Sequence, residues 1–106
     1  KRAMGMMLTA RHVPAAEGLE LGFVNEVVTQ DQLMTRAREW AQLILECSPM
    51  SIRATKEAAM QGFEHGGIRA AYEGKYDAVK ALSKSEDYIE GPLAFSEKRS
   101  PNWTGR

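Results

Sequence analysis

The C-terminal run AFSEKRSPNW, residues 94–103, sets an aromatic ring and two cations close together: Phe95 precedes Lys98 by three residues, and Arg99 follows at once. On a helix an i,i+3 pair shares one face, with β-carbons about 5–6 Å apart. A flat ring beside an ammonium group suits a nucleotide, ring against ring and phosphate against charge. The plainer reading, which the pattern alone favours, makes Phe95 a core contact and Lys98 a surface residue whose stem lies along apolar neighbours. Carboxylates recur in Glu17 and Glu20, and again in Glu86, Asp87 and Glu90. Such groups can act as acid and base when their surroundings split their pKa values. Glu86 and Asp87, however, fall in an expected first helical turn, where the helix dipole favours negative charge, and Glu17 with Glu20 reads as a solvated face. His12 and His65 have no metal-ligand spacing; His65, next to Gly66, reads as a helix-end residue. Cys47 follows an apolar stripe and reads as a buried structural thiol. With no Gly-rich phosphate loop and no G-x-S-x-G turn, the residues give no catalytic assignment and no metal ligand.

The elements that must position these groups are mostly helical. Met4, Met7 and Leu8 share a face of a short first helix, and PAAEGLELG makes a second, opened by Pro14 and closed by Gly22. FVNEVV, rich in valine, reads as one short strand or an extended segment. Thr29 and Gln32 fit a capping box ahead of a helix whose apolar stripe runs through Leu33, Ala37, Trp40, Ile44 and Leu45. Ser48 and Pro49 suit the N-cap and first position of the next helix, with Ile52, Thr55, Ala59 and Phe63 as its inner face. After the break at His65, Gly66 and Gly67, a single helix is expected to carry Ile68, Tyr72, Tyr76, Val79 and Leu82. Ser85 caps a last stretch that Pro92 should divide, and the final six residues look linker-like. A lone strand needs a partner, and the chain offers no second convincing run, so the partner is expected in sequence outside it.

Composition sets outer bounds. The 106 residues fit one domain or part of one. Lys plus Arg and Asp plus Glu balance at 14 each, so no overall charge draws the chain to nucleic acid or an anionic membrane, and any anion site must be local. One cysteine excludes an internal disulfide and leaves too few thiols for a structural zinc site; a reducing compartment is the simplest setting. No apolar run approaches the roughly 20 residues that span a bilayer, so a soluble chain is expected. The first residue is Lys1, so the natural start is expected upstream, and the lack of a targeting segment says nothing of location.

Taken in order, KRAMGMMLTAR, PAAEGLELGFVNEVV, SPMSIRATKEA and SEDYIEGPLAFSEKRSPNWTGR resemble, from end to end, the C-terminal part of the enoyl-CoA hydratase/isomerase family, the crotonases. The closing segment is nearest to carnitinyl-CoA dehydratase-like members. Ala10 stands where the family usually has Gly, and Gly18 where it usually has Ala. The resemblance implies a mainly α chain that forms the end of the ββα spiral plus the C-terminal helical region of a ClpP/crotonase-like α/β fold. Residues 1–28 would be the end of the spiral, with helices and one short strand, and 29–106 the helical region that serves oligomerisation and covers CoA.

The family's oxyanion hole and its two glutamates belong to segments before Lys1. The resemblance therefore places no catalytic residue here, Glu17, Glu20 and Glu26 are not candidates, and the 106-residue chain alone should be inactive. It does carry over one contact: Phe95 and Lys98 match residues near the adenine and ribose phosphate of CoA, often a neighbouring subunit's, which reverses the preference for the plainer reading. The implied activity is hydration of a trans-2-enoyl-CoA, with carnitinyl-CoA dehydratase or enoyl-CoA isomerase as near alternatives and a non-catalytic helical assembly module as one of another class. CoA enters as part of the substrate and no separate cofactor is expected. The implied assembly is a homotrimer or hexamer, without nucleic acid or membrane, in a bacterial cytoplasm or alternatively a mitochondrion.

Overall fold

The computed structural model describes residues 1–106, and every regular element in it is a helix: α1 (Arg2–Thr9), α2 (Ala15–Leu21), α3 (Leu33–Leu45), α4 (Pro49–Gly62), α5 (Ile68–Tyr72), α6 (Asp77–Leu82) and α7 (Glu86–Ser96). The chain divides into two compact units, Lys1–Arg38 and Glu39–Arg106, with the division inside α3.

In the first unit, helix ends are set by left-handed residues. Gly22 closes α2 at φ 85°, its N–H donating to the carbonyls of Gly18 and Leu19. The N–H groups of Phe23 and Val24 also donate to the Gly18 carbonyl, each at 3.2 Å. That fold-back corrects the expected strand: residues 23–28 pair with nothing in a ladder, and the first donors of the run are spent on the end of α2. It also explains Gly18, which is buried, since a β-carbon there would come within 2.8 Å of the Val24 side chain. Ala10 caps α1 at φ 49°, a region where glycine is the easier residue. Thr29 does not cap α3, which starts at Leu33; its carbonyl accepts from Gln32 in the preceding turn. Its hydroxyl bonds Asp31, and with the N–H groups of Asp31 and Gln32 that bond draws the Asp31 carboxyl below its ordinary range.

In the second unit α4 is the central element, packed on α6 and α5. Ser48 caps it as expected, its oxygen accepting from the Ser51 N–H at 3.2 Å, with Pro49 in the first turn. Ala54 is its buried residue, so the inward face differs from the one expected: Thr55, Ala59 and Phe63 are exposed and Ile52 is half-buried. Ile52, Thr55 and Ala59 instead line an open groove of about 490 Å³ with Trp40, Leu43, Ile44 and Cys47. Cys47 is exposed, contrary to expectation: it follows the end of α3 at the open groove, and its thiol bonds the Leu43 carbonyl.

The helix expected over 68–82 is two. Tyr76 folds back to donate its hydroxyl to the Ala71 carbonyl, and a β-carbon on Gly74 would meet that hydroxyl at 2.7 Å. The chain restarts as α6 with the Ala78 N–H donating to Glu57 on α4. His65 lies edge-on to Tyr76, with ring centroids 6.1 Å apart. In contrast, α7 runs unbroken through Pro92. The residue before it is Gly91, which has no β-carbon to clash with the proline ring, and this removes one of the obstacles that proline sets to a continuous helix.

Alanines 54 and 94 are the only buried apolar residues, while Leu45, Phe63, Ile68, Tyr72 and Phe95 are each at least 73% exposed. Apolar faces on this scale need cover. The isolated 106-residue chain is expected to self-associate in sedimentation at micromolar concentration; a monodisperse monomer would count against that reading.

Candidate functional site

Asp87 organises the region that carries Phe95 and Lys98. Ser85 caps α7 by accepting from the Tyr88 N–H at 3.2 Å, which places Asp87 in the first turn. There it is only 3% exposed. Its carboxylate accepts the Ser48 hydroxyl at 2.6 Å, the Thr104 N–H at 2.8 Å, the Gly105 N–H at 3.2 Å and the Thr104 hydroxyl at 3.3 Å. The Ser48 hydroxyl first, and then the Thr104 and Gly105 donors, hold its carboxyl below the usual range against the opposing effect of desolvation. A residue expected to answer only the helix dipole is thus the joint between α4, α7 and the tail.

The tail is fixed rather than linker-like. The Trp103 indole N–H donates to the Glu46 carbonyl at 2.8 Å, satisfying a group left open at the end of α3, and its ring lies beside Gly91. The Arg106 carbonyl accepts from the Glu86 N–H at 2.8 Å. Glu90 accepts from the two terminal Arg99 guanidinium nitrogens, at 2.6 and 2.9 Å, together with the Asn102 N–H at 2.6 Å. The Arg99 guanidinium, followed by that N–H, pushes the Glu90 carboxyl down to about 2. Arg99 also reaches Glu97 and the Ser100 carbonyl, so its donors are engaged within the chain.

Lys98 is held differently. The last turn of α7 closes with the Arg99 N–H on the Ala94 carbonyl at 3.1 Å and the Lys98 N–H on the Phe95 carbonyl at 3.3 Å. These are the paired bonds of a Schellman motif, and they put Lys98 in its left-handed position, at φ 54°, where glycine is the usual occupant. Lys98 therefore lies past the helix rather than on one helical face with Phe95. Both residues are exposed, Phe95 by 88%, which removes the core-contact reading of that ring. The arrangement leaves one ammonium group without an ion pair and one open aromatic ring on a braced turn. That is chemistry for binding an anion joined to a flat ring. Two carboxylates of the first unit serve as ion-pair partners: Arg11 holds Glu17 ionised, lowering its pKa, and Arg36 pairs with Glu26 at 2.9 Å.

The Enoyl-CoA hydratase/isomerase family profile matches residues 1–106. A carnitinyl-CoA dehydratase from Citrobacter koseri is 42% identical over 104 residues, covering 95% of this chain and 40% of that protein; one from Escherichia coli K12 matches at the same identity. Among solved structures, an enoyl-CoA hydratase/isomerase from Mycobacterium paratuberculosis superposes with a TM-score of 0.89 at 33% identity, over 98% of this chain and 41% of that one. An enoyl-CoA hydratase from Bacillus anthracis gives 0.87 at 31%, over 99% and 40%. The chain thus spans about 40% of the length of the curated relatives it matches.

Because the docked tail favours ionised Glu90, its contribution is complete above the ordinary carboxylate value of 4.5 and is lost as pH falls towards about 2; Asp87, lowered from 3.8, acts in the same direction. In a Trp40→Phe form of this chain, the fluorescence of Trp103 should report tail release over that interval. A Trp103 signal unchanged down to pH 2 would refute the assignment.

Proposed function

Since the chain belongs to the enoyl-CoA hydratase/isomerase family, we propose that it forms the CoA-gripping part of an enzyme acting on acyl-CoA thioesters. The reaction proposed is hydration of a trans-2-enoyl-CoA, with water added across the double bond next to the thioester. CoA is held as part of the substrate. The observation that carries this reading is the pair Phe95 and Lys98: an open ring for adenine and an unpaired ammonium for the ribose phosphate, on a turn whose other cation is already engaged.

The same grip serves a dehydration, the reverse of the same bond chemistry, and the identity of 42% to carnitinyl-CoA dehydratases supports that second reading. Assaying the complete protein with crotonyl-CoA and with carnitinyl-CoA separates them: turnover of carnitinyl-CoA alone would replace hydration by dehydration as the main activity. The exposed apolar faces support assembly as a homotrimer or hexamer, in which Phe95 and Lys98 reach a neighbouring subunit's CoA. No helix is long and apolar enough to cross a membrane, and the relatives are bacterial, which supports a cytoplasmic setting.

In the complete protein, Lys98→Ala should raise KM for a CoA thioester roughly tenfold, the loss of one charged contact, and leave the pantetheine thioester unaffected. Equal losses for both substrates would overturn the grip. Lys98→Gly should weaken CoA binding as much, yet stabilise the fold by roughly 0.5–1 kcal/mol by relieving the left-handed backbone. A lower melting temperature for that variant would contradict the strain.

A further inference from the structure

We propose that Glu90 is a positioning residue for the CoA grip, acting through Lys98 by closing the turn that presents it. The inference rests on the reading of Phe95 and Lys98 as CoA contacts. Glu90 sits in the body of α7, before the turn, and bonds two residues that follow it, Arg99 by two guanidinium contacts and Asn102 through its backbone N–H. Its side chain is 17% exposed and that of Arg99 39%, so water screens this pair less than a fully exposed one.

Lys98 needs such support. Its left-handed backbone costs on the order of 1 kcal/mol for a residue with a β-carbon, and its own N–H bond to Phe95 is long, at 3.3 Å. An unbraced turn would relax towards ordinary backbone angles and change the direction in which Lys98 leaves the helix end. With Arg99 clamped next door and Asn102 tied to the same carboxylate, the chain that leaves Lys98 is bound back to the helix that leads into it. Arg99 contributes its charge to this brace, and Lys98 keeps its charge for the ligand.

The test is a double-mutant cycle in the complete protein, with KM and kcat measured for a CoA thioester and for the matching pantetheine thioester. Glu90→Gln keeps an acceptor for Asn102 and removes the charge. It should raise KM for the CoA thioester by about fivefold to tenfold, leave kcat and both pantetheine parameters unchanged, and add nothing further on a Lys98→Ala background. If Glu90→Gln does not fold, Arg99→Lys, which loses the bidentate geometry but keeps the charge, carries the same comparison. Losses for both thioesters, or losses that add to those of Lys98→Ala, would reduce Glu90 to a structural residue and overturn the proposal. If Lys98→Ala discriminates and Glu90→Gln does not, the grip stands and its positioning by Glu90 falls; if Lys98→Ala itself fails to discriminate, both fall.

Discussion

A buried carboxylate is costly unless its lone pairs are taken up by donors, and the second unit is arranged around meeting that demand at Asp87. One oxygen receives the Ser48 hydroxyl from the start of α4, and the other receives Thr104 and Gly105 from the tail. Removing any one donor leaves a partly satisfied charge in a nearly water-free position, and for that reason the three segments hold together or come apart together. With two alanines as the only buried apolar residues, polar satisfaction rather than hydrophobic cover gives this unit its internal order.

What the sequence disclosed were features governed by neighbours a few residues away. Ser48 and Ser85 as N-caps, Gly22 as a left-handed stop and the break at His65, Gly66 and Gly67 all depend on local backbone chemistry. Features decided by distant residues were not legible. The split at Gly74 depends on where the Tyr76 hydroxyl goes, and the fixed tail depends on Asp87, Glu90 and the carbonyl of Glu46. Asp87 had a sufficient local explanation in the dipole, which concealed its tertiary one. For α4, an apolar stripe marks a face that needs cover without saying what covers it; Ile52 and Ala59 line an open groove, and the residue that is buried is the small Ala54.

The candidate site was partly legible. The pair Phe95 and Lys98 stood out by residue type, but helical spacing implied a shared face that the structure does not keep, because α7 ends at Ser96. Sequence alone could not separate the two cations of the run: Arg99 is spent on Glu90 and Glu97, whereas Lys98 has no such partner. The division of labour follows from their chemistry, since a planar guanidinium suits a bidentate internal brace and a compact ammonium on a flexible stem suits an exposed anion.

The order of the Asp87 partners along the chain sets a timetable for biosynthesis. Ser48 and Asp87 are both translated before Thr104 and Gly105, so the nascent chain passes through a stage in which the carboxylate exists without half of its donors. Until those residues emerge, Asp87 remains better solvated outside than buried, and α7 has no reason to settle against the start of α4. Ordering of this unit therefore waits for Thr104 and Gly105, and an interruption of synthesis just after α7 would leave α7 and the start of α4 undocked.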